Sequence, residues 1–273
     1  MRNNQDRLGQ PLPPENHGAA AVTGLSYAVP TEFVELPSRG KFYSEGHPLH
    51  NQETVEIKYM TAKEEDILAS VALLKKGLVI DRLLENILVE DIDSSTILVG
   101  DRSAIMVAAR ISAYGNAYSA NVVCNNCQES QVFDFDLKKI NLNENCFDTE
   151  FLQRNRASFD DKKGVFNIQL PASDATLGVR MLTGADEKVV IEDDENIITS
   201  ALSRFIVSVD GNEDTQFVAQ FVDSMLAADS RYLRIILPNV TPTADLKQEF
   251  VCNKCEQSET REVSLTAEFF WPR

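Results

Sequence analysis

Four of the five cysteines stand in two Cys-x-x-Cys pairs, Cys124 with Cys127 and Cys252 with Cys255. Thiolates at that spacing can both reach one metal ion, and two such pairs complete a closed tetrahedral set of four sulfurs. One structural Zn2+ held by all four is the expected chemistry. Single-domain sites usually place their pairs about 15–20 residues apart, whereas residues 128 to 251, 124 of them, lie between Cys127 and Cys252 here. A shared site therefore requires two distant stretches to meet tip to tip. Two other readings stand beside it: reduced thiols left over from an ancestral site, and a redox pair. The redox reading is disfavoured, because such a pair usually opens a helix within a βαβ unit. Gln128 and Glu256 follow the pairs, where zinc knuckles commonly carry Gly.

Little else in the chain suggests chemistry. His17, His47 and His50 all precede residue 51, and the His47-Pro48-Leu49-His50 stretch reads as a polar loop. Cys146 has no nearby His and reads as a small, half-buried residue rather than a nucleophile. No Gly-rich phosphate loop, nucleophile elbow or His-Glu-x-x-His helix is present. With 42 Asp and Glu residues, carboxylate pairs are too common to be specific. No catalytic residues and no enzymatic activity are expected.

The surroundings of the two pairs recur. Asp101 lies 23 residues before the first pair and Asp229 lies 23 before the second; Val123 and Val251 immediately precede the pairs. Upstream, Tyr59-Met60-Thr61-Ala62-Lys63-Glu64-Glu65 resembles Met181-Leu182-Thr183-Gly184-Ala185-Asp186-Glu187 at a displacement of 122. Self-similarity of this kind predicts an internal duplication. The expected fold is α+β: two duplicated modules, each with a strand, helices and a Cys-x-x-Cys hairpin, joined by a shared zinc-ribbon-like site. Residues 1–30 read as a flexible arm, 31–142 as the first module, 143–164 as a connector and 165–273 as the second module.

The elements that must position the pairs follow from periodicity. Val55, Ile57 and Tyr59 alternate as in a strand that ends at Thr61, a helix cap. Ile67, Leu68 and Val71 begin the helical pattern, and Ile80, Leu83, Leu84, Ile87 and Leu88 form a cleaner stripe after Gly77. Asp101 is expected to cap a helix carrying Ile105, Ala108, Ala109 and Ile111, and Gly115 to stop it. Strands over 119–123 and 132–137 flank the first pair. In the second module, strands over 165–170 and 177–181 lead to a cap at Thr183. Helical stripes follow at Ile198, Ala201, Leu202, Phe205 and Ile206, and at Phe217, Val218, Phe221, Val222 and Met225. The last knuckle falls between strands at 249–251 and 261–265, and acidic Glu192-Asp193-Asp194-Glu195 reads as a solvated turn.

The net charge of −16 argues against nucleic acid or an anionic membrane as a partner of a diffuse basic surface, leaving proteins and metal ions. No stretch is apolar enough to span a membrane, and the expected location is cytosolic. Against this acidic background, Arg39, Lys41, Phe42 and Tyr43 place two cations and two aromatics around Gly40. They form a candidate partner-binding loop; in the alternative, both aromatics fold back onto the first module.

The stretch Phe33-Val34-Glu35-Leu36-Pro37-Ser38-Arg39-Gly40-Lys41-Phe42-Tyr43, continued by Val55-Glu56-Ile57-Lys58-Tyr59-Met60-Thr61-Ala62-Lys63-Glu64-Glu65-Asp66-Ile67-Leu68, with Gly100-Asp101-Arg102 and the first Cys pair, resembles the baseplate hub assembly proteins of T-even-type contractile-tailed phages. The resemblance implies a hub assembly factor or minor hub component that binds hub or tape-measure proteins. It implies a place in the host cytoplasm and in the tail baseplate, and no small-molecule substrate. The alternative is a zinc-ribbon regulator that binds a host protein complex.

Overall fold

The computed structural model describes residues 28–189 and 197–271. The expected arm lies outside these residues up to position 27, as does the acidic turn at 192–195; residues 28–30 run into the first strand without regular structure.

Strands β1 (Thr31–Glu35) and β2 (Thr54–Lys58) form an antiparallel pair with Val34 opposite Val55. Alternation sends Val55 and Ile57 inward as expected. Thr61 then caps α1 (Ala62–Ala69) in a reciprocal box, its own N–H and hydroxyl both donating to Glu64 Oε2. Helix α2 (Val71–Lys76) stops at Gly77, whose φ of 67° suits the residue without a Cβ. Helix α3 (Val79–Ile87) buries Leu83, Leu84 and Ile87. Val71, expected to continue the α1 stripe, is 62% exposed. Ser70 breaks the helix and caps a new one, so the period is not carried across. Helix α4 (Val99–Tyr114) ends at Gly115 and leads into the hairpin β3 (Ala117–Val123) and β4 (Ser130–Asp136).

The first module ends in β5 (Asn141–Leu142), and the polar stretch expected to be a connector carries elements of its own: α5 (Thr149–Arg154), capped by Asp148, and β6 (Ala157–Asp160). Strand β6 is an edge of a four-stranded antiparallel sheet completed by β7 (Val165–Gln169), β8 (Thr176–Val179) and β9 (Ile206–Val209). Between β8 and β9 come α6 (Gly184–Val189) and α7 (Ile197–Phe205). Ile206, expected in the α7 stripe, instead opens β9 and pairs with Val179. Its β-branched neighbours Val207 and Val209 favour the extended form once β8 offers a free edge. Helices α8 (Thr215–Asp223) and α9 (Ala227–Val240) follow, then β10 (Ala244–Asp245) and the hairpin β11 (Lys247–Val251) and β12 (Ser258–Glu262).

Both halves of the chain contribute to one apolar cluster, with Leu83 and Ile105 from the first and Phe166, Leu177 and Leu233 from the second all buried. Strand β5 pairs with β10, setting Leu142 opposite Ala244. Gly100 in α4 packs against the turn after α9 so closely that a Cβ there would sit 1.9 Å from the Pro242 carbonyl oxygen. Arg110 Nε donates to the Phe269 carbonyl from the far end of the chain.

Asp101 does not cap α4. Leu98 is the N-cap, and Asp101 lies in the first turn, fully buried. Its carboxylate accepts from the Ser38 N–H (3.0 Å), the Ser38 hydroxyl (2.6 Å) and the Tyr43 hydroxyl (2.6 Å). Burial raises its pKa above the usual carboxylate range, while the Ser38 and Tyr43 bonds pull the other way. Asp229, at the matching place in α9 behind N-cap Leu226, accepts from the N–H groups of Ala172 (2.8 Å) and Ser173 (3.0 Å). Each aspartate thus ties its helix to the turn after a strand, Leu36-Pro37-Ser38 in one half and Leu170-Pro171-Ala172 in the other.

Candidate metal centre

The hairpins β3–β4 and β11–β12 project their tips toward one another. In each tip the chain reverses through the same turn. The Gln128 N–H donates to the Cys124 carbonyl (3.0 Å) and the Cys124 N–H to the Glu129 carbonyl (2.9 Å). In the other tip Glu256 donates to Cys252 (2.9 Å) and Cys252 to Gln257 (3.0 Å). Gln128 and Glu256 have φ of 58° and 56°, the left-handed conformation for which knuckles commonly use Gly. The turn is kept although the glycine is missing.

All four Sγ atoms lie within 4.8 Å of one another. Cys124 stands 3.7 Å from Cys255 and Cys127 stands 3.6 Å from Cys252. Tetrahedral bonds of about 2.3 Å from metal to sulfur imply sulfur–sulfur edges of about 3.8 Å, so these separations fit coordination. They are far from the roughly 2.05 Å of a disulfide, and the cysteines are free thiols. Cys124 and Cys252 are buried; Cys127 and Cys255 are half-buried.

Reciprocal bonds hold the tips together. The Asn253 N–H donates to Gln131 Oε1 (2.9 Å), and the Asn125 N–H donates to Glu259 Oε1 (3.3 Å). Gln131 Nε2 reaches the Val251 carbonyl (3.3 Å), and Arg261 reaches the Val123 carbonyl. Asn125 and Asn253, and Gln131 and Glu259, are each 128 positions apart, so the first two contacts are mates; the carbonyls of Val123 and Val251, also 128 apart, are reached by different side chains. Beneath the tips, Phe133 and Phe250 meet edge to face at 5.3 Å.

The thiols differ in acidity. The backbone N–H of Gln257, then the Asn126 amide, lowers Cys255 to about 6. Cys127 has the Glu129 backbone N–H in its favour, yet burial and the thiols of Cys255, Cys252 and Cys124 push it up to about 12. One thiolate in the cluster therefore opposes the next. A bound cation removes that conflict by balancing all four, and its binding releases protons. The four cysteines can hold a metal ion.

Of the four residues expected to form a partner-binding loop, the two aromatics are not on the surface. Phe42 is buried among Phe147, Phe159 and Phe166, and Tyr43 is buried with its ring stacked on His47. The aromatics are apolar area that the first module can cover, and the Tyr43 hydroxyl is fixed by Asp101. Arg39 is exposed, bridging Glu144 at 2.5 Å and lying over the Phe147 ring, while half-buried Lys41 donates to Asn51 (3.0 Å). His50 contacts the Tyr43 carbonyl and His47 contacts Thr96, so the two serve the loop's own structure. Cys146 is buried, and burial pushes its thiol up to about 12. Gln131, Glu259 and the Leu-Pro turns were not singled out from the sequence, although sliding the chain on itself by 128 or by 134 aligns them.

Four thiols clamped between two hairpins of one chain define a metal-capable structural scaffold. The chain matches the family model described as T4 bacteriophage base plate protein over residues 29–271, and it belongs to that family. No curated protein and no solved structure matched. Among the described residues, no helix is long and apolar enough to cross a membrane.

Proposed function

We propose that this chain is a non-enzymatic component or assembly factor of the phage tail baseplate hub, acting by binding hub or tape-measure proteins. In this reading it is built as an internal duplication whose halves are clasped by one structural Zn2+. Cys124, Cys127, Cys252 and Cys255 would hold the ion, which supplies cross-linking and no reaction. The observation that carries the reading is the meeting of four sulfurs from knuckles 124 residues apart in a chain of the base plate family. The paired Asp101 and Asp229 anchors, and the mated contacts of Gln131 and Glu259, support the duplication. Family membership does not favour a regulator of a host complex. Of the expected docking loop, Arg39 and Lys41 stay available to a partner.

Elemental analysis of protein purified without chelator is expected to give one zinc per chain, and Cys124→Ser to lose it and melt at lower temperature. Metal-free wild type with a variant of equal stability would remove the zinc from this reading. The hub role is tested apart from it, by mass spectrometry of purified baseplate intermediates and mature tails. Absence of the protein from hub-containing intermediates and from tails alike would end it.

A further inference from the structure

The halves also meet along a short antiparallel edge, and only one of its two mates is made. Ile97-Leu98-Val99, just before and into α4, runs antiparallel to Leu182-Thr183-Gly184 at the start of α6. The Val99 N–H donates to the Leu182 carbonyl and the Gly184 N–H to the Ile97 carbonyl, both at 2.9 Å. Leu98 is left 4% exposed. The matching positions, 128 and 122 residues away, are Met225-Leu226-Ala227 before α9 and Met60-Thr61-Ala62 before α1. Among the described residues, neither the Ala227 N–H, the Met225 carbonyl, the Ala62 N–H nor the Met60 carbonyl makes a backbone hydrogen bond. Leu226 is 54% exposed.

Both open edges keep the shape that the closed ones use. Leu226 has φ −61° and ψ 139°, against −61° and 143° for Leu98. Thr61 gives its N–H to Glu64 just as Thr183 gives its own to Asp186; among the described residues the flanking donor and acceptor have no backbone partner in the first case and are paired in the second. Two complementary edges on one molecule fit a second copy of that molecule.

We propose that this chain self-associates head to tail, the Met60-Thr61-Ala62 edge of one copy pairing with the Met225-Leu226-Ala227 edge of the next. The internal contact between Leu98 and Thr183 is the template. It rests on the correspondence between halves used above, but not on a metal or on a hub role. The contact is heterologous, so each copy uses one edge toward one neighbour and the other edge toward the next, and each edge gives one N–H and accepts one.

The test uses proline at the first helical position, which keeps a helix start intact while deleting one N–H. Ala62→Pro and Ala227→Pro occupy that position in α1 and α9, and each follows a residue already extended. Sedimentation of the full-length protein over a concentration series should show wild type growing in mass. Each variant, with unchanged melting temperature, should associate about tenfold more weakly or worse. Leu226→Glu should do the same. Mixing the two proline variants should restore a dimer, because one retains a good Leu226 edge and the other a good Thr61 edge. A wild type that stays monomeric at every concentration overturns the proposal, as do variants that associate like wild type and a mixture that fails to pair. Monomer that retains zinc would sink this contact alone and leave the clasp standing.

Discussion

Asp186 is both a cap and an ion-pair partner. Its carboxylate takes both guanidinium nitrogens of Arg180 at 2.7 Å and the Thr183 N–H at 2.9 Å. Burial works against its charge, but the Arg180 and Thr183 bonds win and hold its pKa at about 2, below the ordinary 3.8. Because the folded value is the lower one, the stabilisation is present above the unfolded pKa and is lost as the pH falls from 3.8 toward about 2. The group is partly solvated, so the loss is on the order of 1 kcal/mol. Denaturant titrations across this range should show a steeper acid limb in wild type than in Asp186→Asn. Tyr43 offers a second check. Its hydroxyl donates to buried Asp101 and accepts from the Leu98 N–H (3.1 Å), so Tyr43→Phe leaves two buried groups short of a partner. A loss of about 1–3 kcal/mol is expected in chemical denaturation. Arg39→Glu, at an exposed bridge to Glu144, should change stability by less than about 1 kcal/mol, separating a structural aromatic from a surface cation.

At the scale of elements, Gly100 sets two preferences against each other. Alanine is the better helix former by about 1 kcal/mol, but its Cβ would overlap the Pro242 carbonyl, which is backbone and cannot swing away. Overpacking should dominate, with Gly100→Ala less stable by about 1–3 kcal/mol in thermal or denaturant melts. Glu256→Gly should act in the opposite sense and raise stability by about 1 kcal/mol, since the turn holds Glu256 at φ 56°. The β2 alternation, the cap at Thr61, the α3 stripe and the two knuckle hairpins were legible in the sequence because each is fixed by neighbours a few residues away. Strand β9 was not, because the edge that recruits Ile206 belongs to β8, far back in the chain. The role of Asp101 was hidden for a related reason. An aspartate at the start of a helix looks alike whether it caps or sits in the first turn, and its partners Ser38 and Tyr43 lie 63 and 58 residues upstream. The four-sulfur cluster was readable only because the same signature occurs twice.

For the whole molecule, the proposed metal clasp would share with the core the work of holding the halves together. Structural zinc can contribute an apparent ~10 kcal/mol or more in small domains that have no other core. Here Gly100 against Pro242, the β5–β10 pairing and a common apolar cluster also join the halves. Adding chelator is therefore expected to lower the melting temperature and expose the hairpin tips to hydrogen exchange, while amides in α4 and β7 stay protected. Collapse of protection everywhere would show that the metal, and not the packing, sustains the fold.

The distance along the chain between the two knuckles also sets an order of events at the ribosome. At about 5–20 residues per second, the 124 residues from Cys127 to Cys252 take on the order of 6–25 seconds to synthesise. Throughout that interval the emerging polypeptide offers two of the four clustered sulfurs, half of what a tetrahedral ion needs. A product broken off before Cys252 can never gain the other two. If the site takes its metal as proposed, tight loading would thus mark chains translated past both knuckles, and a fragment broken off earlier would be left with an open hairpin and only two of the four thiols.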